Sequence, residues 1–199
     1  RQRQMCIRDR VSEVPRYYVY NAYGVCGIYS APGTAVKEAY DTSGIVTNDR
    51  GVTVWLKGNR VSRNQIMAIK EESVTEQKNS LAVCLDNILR HAGITRNTEY
   101  DLAQGKTATT ILSENMTGVQ VLDLSGCTLD AVLYYVNQDI PVLAILDDGE
   151  AVLVTGFNEF NVVIMEPSTG KLYKKGMNDA TAWFAENGNH FITYMRTEN

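Results

Sequence analysis

Four cysteines and two histidines, at positions 6, 26, 84, 127 and 91, 190, are all the thiols and imidazoles in this 199-residue sequence. Such groups serve disulfides, metal sites or nucleophilic catalysis. The wide cysteine spacing and the absence of any CxxC pair argue against a disulfide framework and against structural zinc, and no cofactor is expected. Cys84 shares an apolar helical face with Leu81, Leu85 and Ile88, so a buried, reduced thiol is its default state. What remains is oxygen chemistry: Ser80 at the start of that helical pattern, Asp147, Asp148 and Glu150 around a glycine turn, and Glu166 ahead of Pro167. Each has a plain alternative. Ser80 suits an N-cap hydroxyl, and the two aspartates suit a turn, although with Glu150 they form an acidic rim able to hold a cation weakly.

Residues 13–72 read as a small β-rich module with one helix. Residues 17–20 and 25–29 have strand composition, 30–40 shift to helical period after Pro32-Gly33, and 45–47 and 52–56 flank Asn48-Asp49-Arg50-Gly51 as a hairpin. A short helix is expected over 62–70, and the polar stretch 71–79 is the expected boundary. From Ser80, Leu81, Cys84, Leu85, Ile88, Leu89 and Ala92 recur at three-and-four spacing until Gly93 stops them. Residues 100–115 read as one helix, 119–124 as a strand, and Thr128 caps a helix through Val136. Three short apolar runs, 141–146, 151–157 and 161–165, then alternate with turns as an antiparallel sheet does, and a helix over 180–186 and a strand over 191–195 complete the pattern. Helices followed by strands make an α+β layout.

This order, over residues 74–199, resembles the papain-like C39 peptidases, the double-glycine type. Their CGPxxLxxxLxxxG-like segment starts the first helix with a nucleophilic cysteine, and counting back from Gly93 puts Ser80 at that position. Their GHxVxVxGx strand carries the base; here the stretch is Gly149-Glu150-Ala151-Val152-Leu153-Val154-Thr155-Gly156-Phe157, with Glu150 in place of histidine. Their Asp-Pro, which orients the base, is Glu166-Pro167. The oxyanion glutamine six residues before the nucleophile is replaced by Val74, leaving Gln77 as the nearest candidate. The resemblance therefore implies a papain-like C39-type domain with a degenerate triad of Ser80, Glu150 and Glu166, within a longer bacterial-type protein.

The replacements change the chemistry. A helix N-terminus and a neighbouring imidazolium stabilise a thiolate, whereas a serine hydroxyl needs a base poised near neutral pH, and a carboxylate with an ordinary pKa of about 4.3 is a weak one. Relatives in hemolysin-type exporters that lack the cysteine use this fold to hold unfolded substrate, so the resemblance implies a catalytically inactive module that binds a peptide or unfolded protein segment. The alternative is an active hydrolase, through the Cys84 thiol or through Ser80 with Glu150 in acid, formally like the serine-carboxyl peptidases. A third class, a scaffold with no ligand, stays open. His91 lies eleven residues beyond Ser80 on one helix, a rise of about 16 Å, out of reach. His190 is expected at a solvent-facing sheet edge.

Composition excludes other classes. Hydrophobic residues make up 44% and charged residues 21%, with a net charge of −4, as in an ordinary globular domain. The first ten residues hold four arginines and one aspartate, so the rest is more acidic still. No basic stripe exists to track a phosphate backbone, so nucleic acid is not expected as a partner. No apolar run reaches the roughly 18 residues of a membrane span. Residues 1–12 have the character of a non-native leader, which would put the natural N-terminus outside this sequence and leaves cell envelope, extracellular space and cytoplasm all open as compartments.

Overall fold

The computed structural model describes residues 14–58 and 79–197. The expected leader, the helix over 62–70, the boundary over 71–79 up to residue 78, and Gln77 lie outside the described residues.

Strands β1 (Tyr17–Asn21) and β2 (Gly24–Tyr29) form a hairpin. Helix α1 (Pro32–Thr42) starts with proline inside its first turn, where a missing N–H costs nothing, and ends at Ser43 in the left-handed region. Strands β3 (Ile45–Asn48) and β4 (Thr53–Leu56) follow, their turn held by Asn48 Oδ1, which accepts from the N–H groups of Arg50 and Val52 at 3.0 and 2.9 Å. The sheet order is β2-β1-β3-β4. Its buried residues Tyr17, Val19, Val46 and Trp55, the last three in one cross-strand row, belong to the same core cluster as Ala35, Val36 and Ala39 of α1.

The rest of the chain runs α2 (Ser80–His91), α3 (Glu99–Ala103), α4 (Ala108–Asn115), β5 (Val119–Asp123), α5 (Leu129–Val136), β6 (Val142–Ile145), β7 (Ala151–Phe157), β8 (Asn161–Met165), β9 (Leu172–Gly176), α6 (Met177–Glu186) and β10 (His190–Arg196). Its six strands are antiparallel in the order β5-β10-β6-β7-β8-β9. Every residue of β7 is buried, as befits a strand in the middle of a sheet with helix α2 and helix α5 packed on it.

Two expectations need correction, and one strand was not foreseen. The single helix over 100–115 is two, α3 and α4. Gly105 at φ +81° ends the first, and Thr107 caps the second by accepting from Thr110 N–H at 3.2 Å. Strand β9 has no apolar run to announce it; Lys174 and Lys175 mark it as a solvent-facing sheet edge. The final strand β10 is not an edge: it inserts between β5 and β6, so His190 is exposed yet belongs to an interior strand.

The two sheets bury one continuous hydrophobic cluster. Trp55 Nε1 donates to Ala131 O at 3.0 Å and the Tyr135 hydroxyl to Val54 O at 2.8 Å, so β4 and α5 satisfy each other's buried polar groups. Gly33 matters here because a Cβ at that position would lie 2.9 Å from Ser125 O: only a glycine lets the start of α1 sit this close to the loop after β5.

Candidate active site

Helix α2 forms where the sequence alternates a buried face, Ala82, Cys84, Leu85, Ile88 and Leu89, with polar positions. Its cap is Asn79, whose Oδ1 accepts from the N–H groups of Leu81 and Ala82 at 2.9 and 3.3 Å. The expectation of Ser80 as N-cap is thereby corrected: Ser80 is the first helical residue, and the amide one position earlier already satisfies the helix's open donors. Freed from capping, the Ser80 hydroxyl accepts from Ala151 N–H at 2.9 Å, the first residue of β7.

Glu150 precedes that residue. It ends a tight turn closed by Gly149 N–H to Leu146 O at 2.9 Å and Leu146 N–H to Glu150 O at 2.8 Å, with Gly149 at φ +84°. Asp148 Oδ1 accepts from Glu150 N–H at 2.9 Å, which gives this aspartate the turn role foreseen for it. The fold thus brings Ser80 at the start of α2 against Ala151 at the start of β7, 71 residues apart in sequence. The Glu150 side chain is solvent-exposed.

Glu166 lies one residue past the last ladder pair of β7 and β8, Leu153 with Met165. Its carboxylate turns back on its own loop: Oε1 accepts from the Ser168 hydroxyl and Oε2 from the Thr169 hydroxyl at 2.8 Å. These two hydroxyls hold the Glu166 carboxyl below the ordinary glutamate range. A carboxyl whose folded pKa is depressed contributes stability above its unfolded pKa of about 4.3 and loses it as pH falls through the folded value. Replacing Ser168 by Ala together with Thr169 by Val is therefore expected to raise the Glu166 titration midpoint toward the ordinary range. Side-chain carboxylate NMR across pH 2 to about 6 reads this, and an unmoved midpoint would contradict the hydroxyl-bound geometry.

The thiols divide by environment. Cys84 is fully buried, and burial first, then the nearby Glu150 carboxylate, pushes its thiol far above the ordinary value. Burial of this kind weakens a thiol as a nucleophile. Burial also pushes Cys127 up to about 12, and its Sγ lies 3.2 Å from Gly33 O. Cys26 is exposed. Among the described residues no group of three or more His, Cys, Asp or Glu side chains is placed to hold a metal ion.

Neither imidazole sits at position 150. His91 Nε2 lies 3.0 Å from Asp139 O, at the opposite end of α2 from Ser80. His190 pairs with Ile145, which pairs with Ala151, so its backbone is two strand spacings, about 9–10 Å, from the residue that Ser80 binds. That cross-strand row was invisible in the sequence, because it depends on β10 inserting beside β6.

The Ser80 contact predicts a measurable stability effect. Ala151 is buried, so Ser80→Ala leaves its N–H without that acceptor and is expected to cost about 1–3 kcal/mol. Urea denaturation followed by circular dichroism checks it; an unchanged midpoint would mean that the hydroxyl does not tie α2 to β7.

Helices packed around a central antiparallel sheet make this an α+β architecture. The chain is similar in fold to a crystal structure from Bacillus anthracis provisionally described as a C39-like peptidase, with a TM-score of 0.57 and 13% sequence identity, over 71% of this chain and 100% of that one. No family model matches the chain, and no curated protein matches it. Among the described residues no helix is long and apolar enough to cross a membrane.

Proposed function

We propose that this chain is a C39-like domain that binds a peptide or unfolded protein segment at the junction of α2 and β7 without cleaving it. The observation that carries this reading is the hydrogen bond from Ala151 N–H to Ser80 Oγ. It supports this reading by joining the start of α2 to the start of β7, where a serine and a carboxylic acid stand in place of a thiol and an imidazole. The serine oxygen accepts from the backbone, the neighbouring acid is Glu150, and Glu166 is occupied by Ser168 and Thr169. A peptide laid along this junction meets an anionic rim of Asp147, Asp148 and Glu150, which favours basic segments.

Chemical labelling combined with binding tests the proposal. A fluorophosphonate is expected to leave Ser80 unmodified from pH 3 to 8, and iodoacetamide to modify Cys26 while sparing Cys84 and Cys127 until the protein unfolds, as read by peptide mass mapping. Titration with an unstructured basic peptide is expected to shift the backbone resonances of Ser80, Glu150 and Ala151 saturably. Labelling of Ser80 in acid would replace this reading with an acid-type hydrolase, and a silent titration with no labelling would leave a scaffold.

A further inference from the structure

We infer that a pocket between α1, β4 and α5, walled by Tyr40, Trp55 and Tyr134 and carrying the Asp130 carboxylate in its lining, binds a quaternary ammonium group. Neither Ser80 nor Glu150 lines it, so it is separate from the junction of α2 and β7. Its volume is about 140 Å³. A cavity of about 150 Å³ takes a molecule the size of benzene, so the space suits a compact head group of a few atoms.

Three rings from distant parts of the chain meet here. Trp55 stands between the other two, its ring centroid 6.1 Å from Tyr40 and 6.2 Å from Tyr134, with interplanar angles of 56° and 52°. Neither pair is stacked flat, and all three residues border the same cavity. The indole is fixed in place because its Nε1 donates to Ala131 O at 3.0 Å. An aromatic core cluster closes on itself; this one leaves a cavity whose lining also holds Asp130, Asn137 and Lys57.

Electrostatics selects the occupant. The face of an aromatic ring is the negative end of its quadrupole and attracts a cation within about 6 Å of the centroid, tryptophan most strongly. Asp130 adds a full negative charge, and its Oδ2 accepts from the Tyr40 hydroxyl at 2.9 Å. A phenol that donates to a carboxylate is polarised toward its ring, which makes Tyr40 a better wall for a cation. An ammonium is already drawn to this ring: Lys57 Nζ lies 5.0 Å from the Tyr40 centroid, and it also donates to Tyr40 O at 3.3 Å and Ser43 Oγ at 3.5 Å. Lys57 is exposed and flexibly tethered, so it acts as a built-in competitor that an incoming cation displaces. A primary ammonium is strongly hydrated and seeks hydrogen-bond acceptors, whereas a trimethylated one has no N–H and gains most from ring faces.

NMR titration of the full chain with choline tests this. The two tryptophans give two indole N–H signals. That of Trp55 is expected to shift saturably at millimolar choline while that of Trp183 stays in place. The tert-butyl analogue of choline, in which carbon replaces the nitrogen, keeps the shape without the charge and is expected to bind at least about fivefold more weakly. Lys57→Met removes the competitor and is expected to tighten choline about two- to fivefold; Asp130→Asn is expected to weaken it by about fivefold. Phosphatidylcholine vesicles separate two sources of the group. Co-sedimentation that choline reverses assigns a lipid head group, and a chain left in the supernatant while choline binds assigns a free compound; both support the site. No saturable shift in either the wild type or Lys57→Met overturns the inference. So does equal binding of the uncharged analogue, a comparison made on the wild-type chain and therefore decisive even if Asp130→Asn fails to fold. Weaker choline binding by Lys57→Met overturns the role given to that lysine.

Discussion

Trp55→Ala is expected to remove about 3–5 kcal/mol of stability and to do so in one cooperative transition. The indole is buried, packs at tilted angles against Tyr40 and Tyr134 with ring centroids 6.1 and 6.2 Å away, and donates its N–H to Ala131 O. Truncation leaves a large void and removes the indole hydrogen bond at the seam between β4 and α5. Against a total of about 5–15 kcal/mol for a domain, the variant is expected to sit near the threshold of folding at 37 °C. Trp55→Phe fills most of the space and loses the hydrogen bond, so a smaller loss of about 1–2 kcal/mol is expected. Urea melts followed by circular dichroism and by the fluorescence of the remaining Trp183 should coincide. Two separated transitions, or a loss for the alanine variant below about 1 kcal/mol, would mean that the sheets have independent cores rather than the shared cluster.

The second large effect concerns chemistry. Ser80→Cys alone is expected to show no peptide hydrolysis, because Glu150 supplies no imidazole. Adding Glu150→His places an imidazole at the turn before β7 and a thiol at the first turn of α2, where the helix end and an imidazolium both favour the thiolate. The Ala151 N–H that now donates to the serine oxygen would face the sulfur. The double variant is expected to hydrolyse an unstructured peptide at least about 10²-fold faster than Ser80→Cys, the usual scale of a positioned general base. Activity should peak near neutral pH and vanish when the thiol introduced at position 80 is alkylated. A folded double variant with no activity would show that side chains at 150 do not address position 80. Robust cleavage by Ser80→Cys alone would show that another group already serves as base.

The degree to which such geometry was legible varies with distance along the chain. Helix α2 and its stop at Gly93, the Thr128 cap of α5 and the turn around Asn48 follow from rules acting within one turn or one hairpin, and composition and periodicity expose them directly. The expectation that positions 80 and 150 share a site came from the resemblance to the C39 peptidases; the hydrogen bond in the structure joins Ser80 to Ala151, the residue after Glu150. Other features of the site were decided by competition between neighbours of equal local merit. Asn79 and Ser80 are both good caps, and Asn79 takes the role because the serine oxygen is drawn to β7. Glu166 had two possible partners, the base position across the sheet or the hydroxyls two and three residues ahead, and the short loop to Ser168 and Thr169 brings the hydroxyls to it.

The sequence by itself determined the α+β class, most elements and the absence of an imidazole at position 150, since these depend on residue identity and on contacts a few positions apart. Only the tertiary structure decided that β10 enters the middle of its sheet, that one core runs beneath both sheets, and that the outer face of β1 to β4 is left apolar and exposed. Strand order and burial come from the summed packing of segments far apart in the chain, where many pairings satisfy the same local pattern and the one that buries the most apolar surface prevails.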